Sequence, residues 1–170
     1  MKVNISLNLK NILLLLLVTS SFSLAFAYSS EIFFGLKPCI LCLYQRVPYF
    51  IIVLIAIIAL ILCKKDSLRK IAAILCVLSL FVNSAIAFYH VGVEQKIFKL
   101  TEKCEDDFGK ATSIEELRQM ISSSKLGKCD EPEFFFLGLT MAFWNMIFCF
   151  GLGIFSIFFL RRVSQILPHQ

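Results

Sequence analysis

Charge is what this sequence has least of. Only 17% of its 170 residues are Asp, Glu, Lys or Arg, against about a quarter in soluble domains, which excludes a water-facing surface over most of the chain. The deficit is filled by 58% hydrophobic residues, with 18 phenylalanines, and the mean hydropathy is +0.81. Also missing is a basic patch interleaved with stacking aromatics, so the net charge of +5 does not point to nucleic acid. No second close cysteine pair accompanies Cys39 and Cys42; a zinc site made of four cysteines usually takes one, and no metal is expected. The chain reads as an integral membrane protein, one domain by its length.

Four apolar runs are present. Lys2 and Lys10 precede the first, Ile12 to Ala27. Lys10, the Leu-rich centre and Ala25-Phe26-Ala27 also fit a cleaved signal peptide, but a helix through about Tyr28 approaches the ~20 apolar residues needed to cross a bilayer. A retained first span is the favoured reading. The second run, Val47 to Cys63, stops at Lys64-Lys65-Asp66-Ser67-Leu68-Arg69-Lys70, and the third, from Ile71 to about Val93, closes with Phe88, Tyr89 and His90. Phe134 to Leu160 supplies the fourth, stopped by Arg161-Arg162. The expected fold is an all-α membrane protein, a four-helix transmembrane bundle with spans over about residues 12–30, 47–63, 71–93 and 137–160. Outer loops then cover about 31–46 and 94–136.

Basic residues near the span ends set orientation. Lys2, Lys10, Lys64, Lys65, Arg69, Lys70, Arg161 and Arg162 share one side with a single acid, Asp66, whereas the other side carries the remaining nine basic and eleven acidic residues over a far longer length. Both termini are therefore expected in the cytoplasm. Cys39 and Cys42, at the first outer loop or its junction with the second span, and Cys104 and Cys129, in the second outer loop, then face an oxidising compartment. Cys63 abuts the cytoplasmic lysines, and Cys76 and Cys149 lie inside apolar runs, where a cysteine is most simply a small hydrophobic residue.

The second outer loop contains a capping-box pattern, Ser113-Ile114-Glu115-Glu116, followed by Leu117 and Ile121 on the face of Ile114. A short amphipathic helix is expected there, resting on the bilayer or packed on its own loop. Cys104 and Cys129 enclose 24 residues. A disulfide between them would stabilise the loop by ~3 kcal/mol in the chain-entropy model, which makes a purely structural bridge a real alternative.

The segment Lys37-Pro38-Cys39-Ile40-Leu41-Cys42-Leu43-Tyr44-Gln45-Arg46 carries the chemistry. In a helix, Cys39, Cys42 and Arg46 would share one face. With Pro38 in the first helical position, both thiols sit where free N–H groups and the helix dipole favour a thiolate. A helix starting only at Pro48 would leave the pair in an extended loop. Arg46, at the edge of an apolar span, is either an interface anchor or a charge that stabilises the Cys42 thiolate and a carbonyl-bearing acceptor. Dissolved in a membrane, such an acceptor would be a quinone. In that case Arg46 and Cys42 should face a common cavity.

Taken together, Pro38 through Arg46, Tyr89-His90, Cys104, Cys129 and Phe136-Leu137-Gly138-Leu139-Thr140-Met141-Ala142-Phe143-Trp144-Asn145 resemble the DsbB disulfide-bond formation proteins, over roughly Leu36 to Leu160. These are inner-membrane quinone reductases of bacteria that reoxidise the periplasmic dithiol oxidase DsbA. The resemblance implies a catalytic set of Cys39, Cys42, Cys104 and Cys129, with a ubiquinone or menaquinone held near Arg46 and, by position, His90. It further implies that a thiolate of a DsbA-like thioredoxin-fold partner attacks a Cys104–Cys129 disulfide at Cys104. Cys129 then attacks Cys39, and Cys42 delivers electrons to the quinone pool. A lone histidine at a helix end is otherwise an interface residue. The vitamin K epoxide reductase family uses a related logic, but its Cys-x-x-Cys lies nearer the C-terminal end. A different class, a four-span assembly protein whose loops are stapled by disulfides, predicts instead that losing a cysteine pair mainly lowers stability.

Overall fold

The computed structural model describes residues 2–99, 127–130 and 134–165. Four helices carry it: α1 (Lys2–Phe34), α2 (Ile40–Ile61), α3 (Asp66–Glu94) and α4 (Met141–Gln165). Each contains a stretch long and apolar enough to cross a membrane. A bilayer offers backbone groups no water, and helices satisfy them internally. Cys104 and the expected amphipathic helix around residues 113–121 lie outside the described residues.

The helices pack through faces of helical period. On α1, Leu9, Ile12, Leu13 and Leu16 are buried, the last two completely. Tyr49, Ile52, Ala56 and Ala59 form the inner stripe of α2, and Ala73, Cys76, Leu80, Asn83, Ala87 and His90 that of α3. Half of the α2 and α3 stripe residues are small, which lets helices in lipid associate by close van der Waals approach. Gly153 of α4 is such a place: a Cβ there would lie 3.1 Å from the Phe81 ring of α3.

The helix ends depart from the sequence expectation. α1 runs on to Phe34 and stops at Gly35, whose φ of +65° and N–H bond to the Glu31 carbonyl, 3.1 Å, make the left-handed stop that glycine allows. α2 begins at Ile40, not Val47, and runs through Pro48. A proline that deep in a helix forgoes only its own N–H bond when the surrounding turns are held by packing, and both Pro48 and Tyr49 are buried. α3 begins at Asp66, whose carboxylate accepts from Arg69 Nη1 at 3.1 Å. The fourth helix opens later than expected. Leu137-Gly138, with φ of 53° and 78°, makes the two-residue turn of a small antiparallel hairpin, β1 (Phe135–Phe136) with β2 (Leu139–Thr140). Two successive positive φ values are the signature of the turn that matches strand twist. Thr140 then caps α4, its Oγ1 accepting from Phe143 N–H at 3.2 Å.

Because α1 supplies core residues rather than a peripheral anchor, Leu16→Ala should lower the stability of the solubilised bundle by about 2–5 kcal/mol, the usual range for an emptied leucine site. A thermal or steric-trap unfolding midpoint equal to that of the parent protein would show that α1 is not part of the core.

Candidate active site

Cys39 is the N-cap of α2, with extended backbone at φ −77° and ψ 167°, and its Sγ accepts from the Cys42 N–H at 3.3 Å. Pro38 therefore stands just before the cap instead of inside the first turn. The Cys39 thiol also meets Cys42 Sγ at 3.0 Å. Among the described cysteines, Cys39, Cys42, Cys63, Cys76 and Cys149 are free thiols.

The segment between α3 and α4 reaches this cap through Gly127. Its N–H donates to the Pro38 carbonyl at 3.1 Å, and a Cβ at Gly127 would stand 2.5 Å from the Lys37 carbonyl oxygen. Only glycine permits that approach. Two residues on, Cys129 is 2% exposed and packs in one cluster with Cys39, Leu41 and Val93, against Cys42 and Tyr89. Its hydrogen bond with Cys39, then that of Cys42, then burial push the Cys39 thiol well above its ordinary range. These effects outweigh the N–H bond at the cap, so Cys39 is held protonated and not, as its position at a helix start suggested, as a thiolate.

His90 is not at an interface. It is 3% exposed, with Nε2 3.4 Å from Cys39 Sγ and 3.6 Å from Glu94 Oε1. Its Nδ1 lies 2.9 Å from Gln45 Nε2. From there a polar chain continues inward: Asn145 Nδ2 donates to Gln45 Oε1 at 2.7 Å, and the Tyr49 hydroxyl donates to Asn145 Oδ1 at 2.5 Å. That hydroxyl is also 3.0 Å from Cys149 Sγ, so Cys149 is more than an apolar filler. Glu94 is anchored by Thr140 Oγ1, which donates to Oε2 at 2.7 Å.

Arg46 is buried, not snorkelled to headgroups. Its Nη2 donates to the Glu31 carboxylate, and the guanidinium carbon lies 4.8 Å from the Tyr28 ring centroid. The partner that the sequence suggested, Cys42, is thus replaced in direct contact by two residues of α1. Arg46, Cys42 and His90 nevertheless line one cavity of about 500 Å³, a size typical of small-molecule sites. Its walls include Phe22, Phe26, Trp144 and Phe148. Apolar aromatic walls with Arg46 and His90 among the polar lining suit a flat ring bearing carbonyl oxygens.

Sequence reasoning missed Gln45, Tyr49, Asn145, Glu94, Glu31 and Tyr28. A signal was available, since polar side chains inside apolar spans are costly and usually mark a functional interior.

A buried dithiol at the head of a span-length helix, packed against a loop cysteine and lining an aromatic cavity together with it, defines a multi-pass thiol-redox membrane protein. The family model described as "Disulfide bond formation protein DsbB" matches residues 9–159, and the chain belongs to that family. An uncharacterized protein of Rickettsia prowazekii is 31% identical over 84% of this chain and 82% of its own length. Proteins called Disulfide bond formation protein B are 24% identical in Xanthomonas euvesicatoria, over 79% of this chain and 80% of theirs, and 25% identical in Xylella fastidiosa, over 79% of each. The protein is a disulfide-forming oxidoreductase of the membrane.

Two measurements test this geometry. In the reduced protein, alkylation of Cys39 followed by mass spectrometry should be at least about tenfold slower at pH 8.5 than for an exposed cysteine peptide, and still rising above pH 9, because a raised pKa moves thiolate formation to higher pH. Equal rates would contradict the buried, hydrogen-bonded thiol. Separately, a Cys42→Ser, Cys104→Ser protein should form a Cys39–Cys129 disulfide on mild oxidation, and adding Gly127→Ala should cut its yield severalfold by pushing the loop off the Lys37 carbonyl.

Proposed function

We propose that this protein is a bacterial inner-membrane oxidoreductase that reoxidises a periplasmic DsbA-like thioredoxin-fold protein and passes the electrons to a membrane quinone, ubiquinone or menaquinone. Both termini lie in the cytoplasm, and the redox cysteines face the periplasm. The observation that carries this reading is the position of Cys39 and Cys42: Cys129 contacts the first thiol, and both thiols line the aromatic cavity that also holds Arg46. A dithiol so placed joins a water-side exchange partner to a lipid-side one.

The partner's thiolate attacks the Cys104–Cys129 disulfide at Cys104, and Cys129 leaves as a thiolate. Cys129 then attacks Cys39 of a Cys39–Cys42 disulfide, breaking that bond and leaving the pair of electrons on Cys42. A bound quinone supplies a two-electron, two-proton acceptor. The partner's second thiolate displaces Cys104 from the mixed disulfide, Cys104 takes Cys129 back from Cys39, and Cys39 and Cys42 rejoin as their electron pair leaves, so that in the net reaction the partner's dithiol becomes a disulfide and two hydrogens appear on the quinol. Arg46, already held by Glu31 and Tyr28, orients a carbonyl oxygen and offers charge where negative charge develops. His90, fixed by Gln45, stands at the Cys39 sulfur to give or receive a proton. The aromatic walls exclude water from both.

In lipid nanodiscs with added quinone and a reduced thioredoxin-fold partner, the quinone absorbance should fall, and Cys42→Ser should abolish the fall. Persistence of electron transfer in Cys42→Ser would sink the proposal. Arg46→Met should raise KM for quinone about tenfold or more, the worth of one charge-assisted hydrogen bond, without slowing thiol exchange between the partner and the loop pair. Loss of stability alone on removing either pair would favour a stapled assembly protein.

A further inference from the structure

The sequence argument against a metal counted only cysteines, and the fold adds a nitrogen. Cys39 Sγ, Cys42 Sγ and a ring nitrogen of His90 all lie within 4.8 Å of one another. Cys129 hydrogen-bonds Cys39 and packs in the same buried cluster. Two sulfurs and one imidazole are grouped there already; Cys129 lies outside that group, and turning its side chain inward gives three sulfurs and an imidazole, a closed structural donor set for zinc.

We propose that the fully reduced site binds one thiophilic divalent cation, Zn²⁺ by its chemistry, through Cys39, Cys42, Cys129 and His90, and so withholds the dithiol from oxidation. Bond lengths of about 2.3 Å to sulfur and 2.0 Å to nitrogen place tetrahedral ligands about 3.5 Å apart for sulfur and nitrogen and about 3.8 Å for two sulfurs. Cys39 Sγ and His90 Nε2 stand at 3.4 Å. Cys39 and Cys42, at 3.0 Å, need to open by less than an ångström, a side-chain adjustment. Each thiol releases its proton on binding. Three thiolates and one dication leave a single negative charge, in a cavity lined by Lys37, Arg46 and Lys128 as well as by Glu31 and Glu94.

The outer shell is built for either state of the histidine. A metal at Nε2 requires a proton on Nδ1, which Gln45 accepts by turning its amide oxygen toward the ring. Asn145 then presents its oxygen to the Gln45 amide, and its own NH₂ to the Tyr49 oxygen. The Tyr49 proton goes to Cys149 Sγ, already 3.0 Å away. These four bonds keep their partners with the sense reversed, and Asn83, which accepts from Asn145 Nδ2 at 3.5 Å, turns its amide nitrogen to the Asn145 oxygen. This use of the site needs only that its thiols are reduced, whatever accepts their electrons.

The test is a titration of phosphine-reduced protein in nanodiscs with Co²⁺, followed by displacement with Zn²⁺, with neither quinone nor partner present. One equivalent should give tetrahedral d–d bands and sulfur-to-metal charge transfer. Cys129→Ser should remove about one third of the charge-transfer intensity, one thiolate of three. His90→Gln should weaken binding at least about tenfold, and Cys63→Ser should change nothing. The unmutated protein with its disulfides formed is the fold-independent control and should not bind. Tetrahedral Co²⁺ spectra that survive oxidation, or that are unaltered in His90→Gln, overturn the site, as does the absence of any tetrahedral spectrum in reduced protein. Electron transfer to quinone can stand or fail independently of each result.

Discussion

A bilayer supplies no water to a polar side chain, so any such group inside the bundle must find its partner within the protein. The chain from His90 through Gln45 and Asn145 to Tyr49 meets that constraint and in doing so fixes three helices relative to one another. His90 belongs to α3, Gln45 and Tyr49 to α2, and Asn145 to α4. Moving any helix by a fraction of a turn would leave an amide unsatisfied in a medium where that costs several kcal/mol. The position of His90 beside Cys39 is therefore a property of the whole bundle.

The first helix has a different part. It buries Leu13 and Leu16 in the core and brings Glu31 and Tyr28 to Arg46. A buried guanidinium without a counter-charge would be costly, and one free to swing would not hold an orientation. Pairing it with Glu31 confines it, and the Tyr28 ring face beneath the guanidinium adds a cation–π contact.

Much of the fold was legible in the sequence because membrane spans announce themselves by composition over about twenty residues. Their ends were less so. Pro48 looked like a helix start, yet α2 begins at Ile40 because Cys39 can cap it with sulfur. Leu137-Gly138 looked like continued span, yet an apolar residue takes positive φ there because the hairpin twist demands it. At the site, the Cys39–Cys42 pair and Arg46 stood out by residue type and spacing. Their partners did not, because Glu31, Asn145 and Glu94 are far from them in sequence and only tertiary packing brings them together. Cys129 was visible as a residue, but its approach to Cys39 depends on Gly127, whose role no local pattern reveals.

Phe22 and Phe26 of α1, which line the cavity, also have 70% and 53% of their surface outside the bundle. The entrance thus faces hydrocarbon. An apolar molecule that reaches Arg46 arrives by lateral diffusion, and the concentration that governs occupancy is its mole fraction among lipids, not its molarity in the suspension. Enlarging the apolar phase with detergent or added lipid, at constant total amounts, dilutes such a molecule before it meets the protein. Two preparations with identical bulk composition of protein and acceptor can then differ in apparent affinity solely through the amount of hydrocarbon around them.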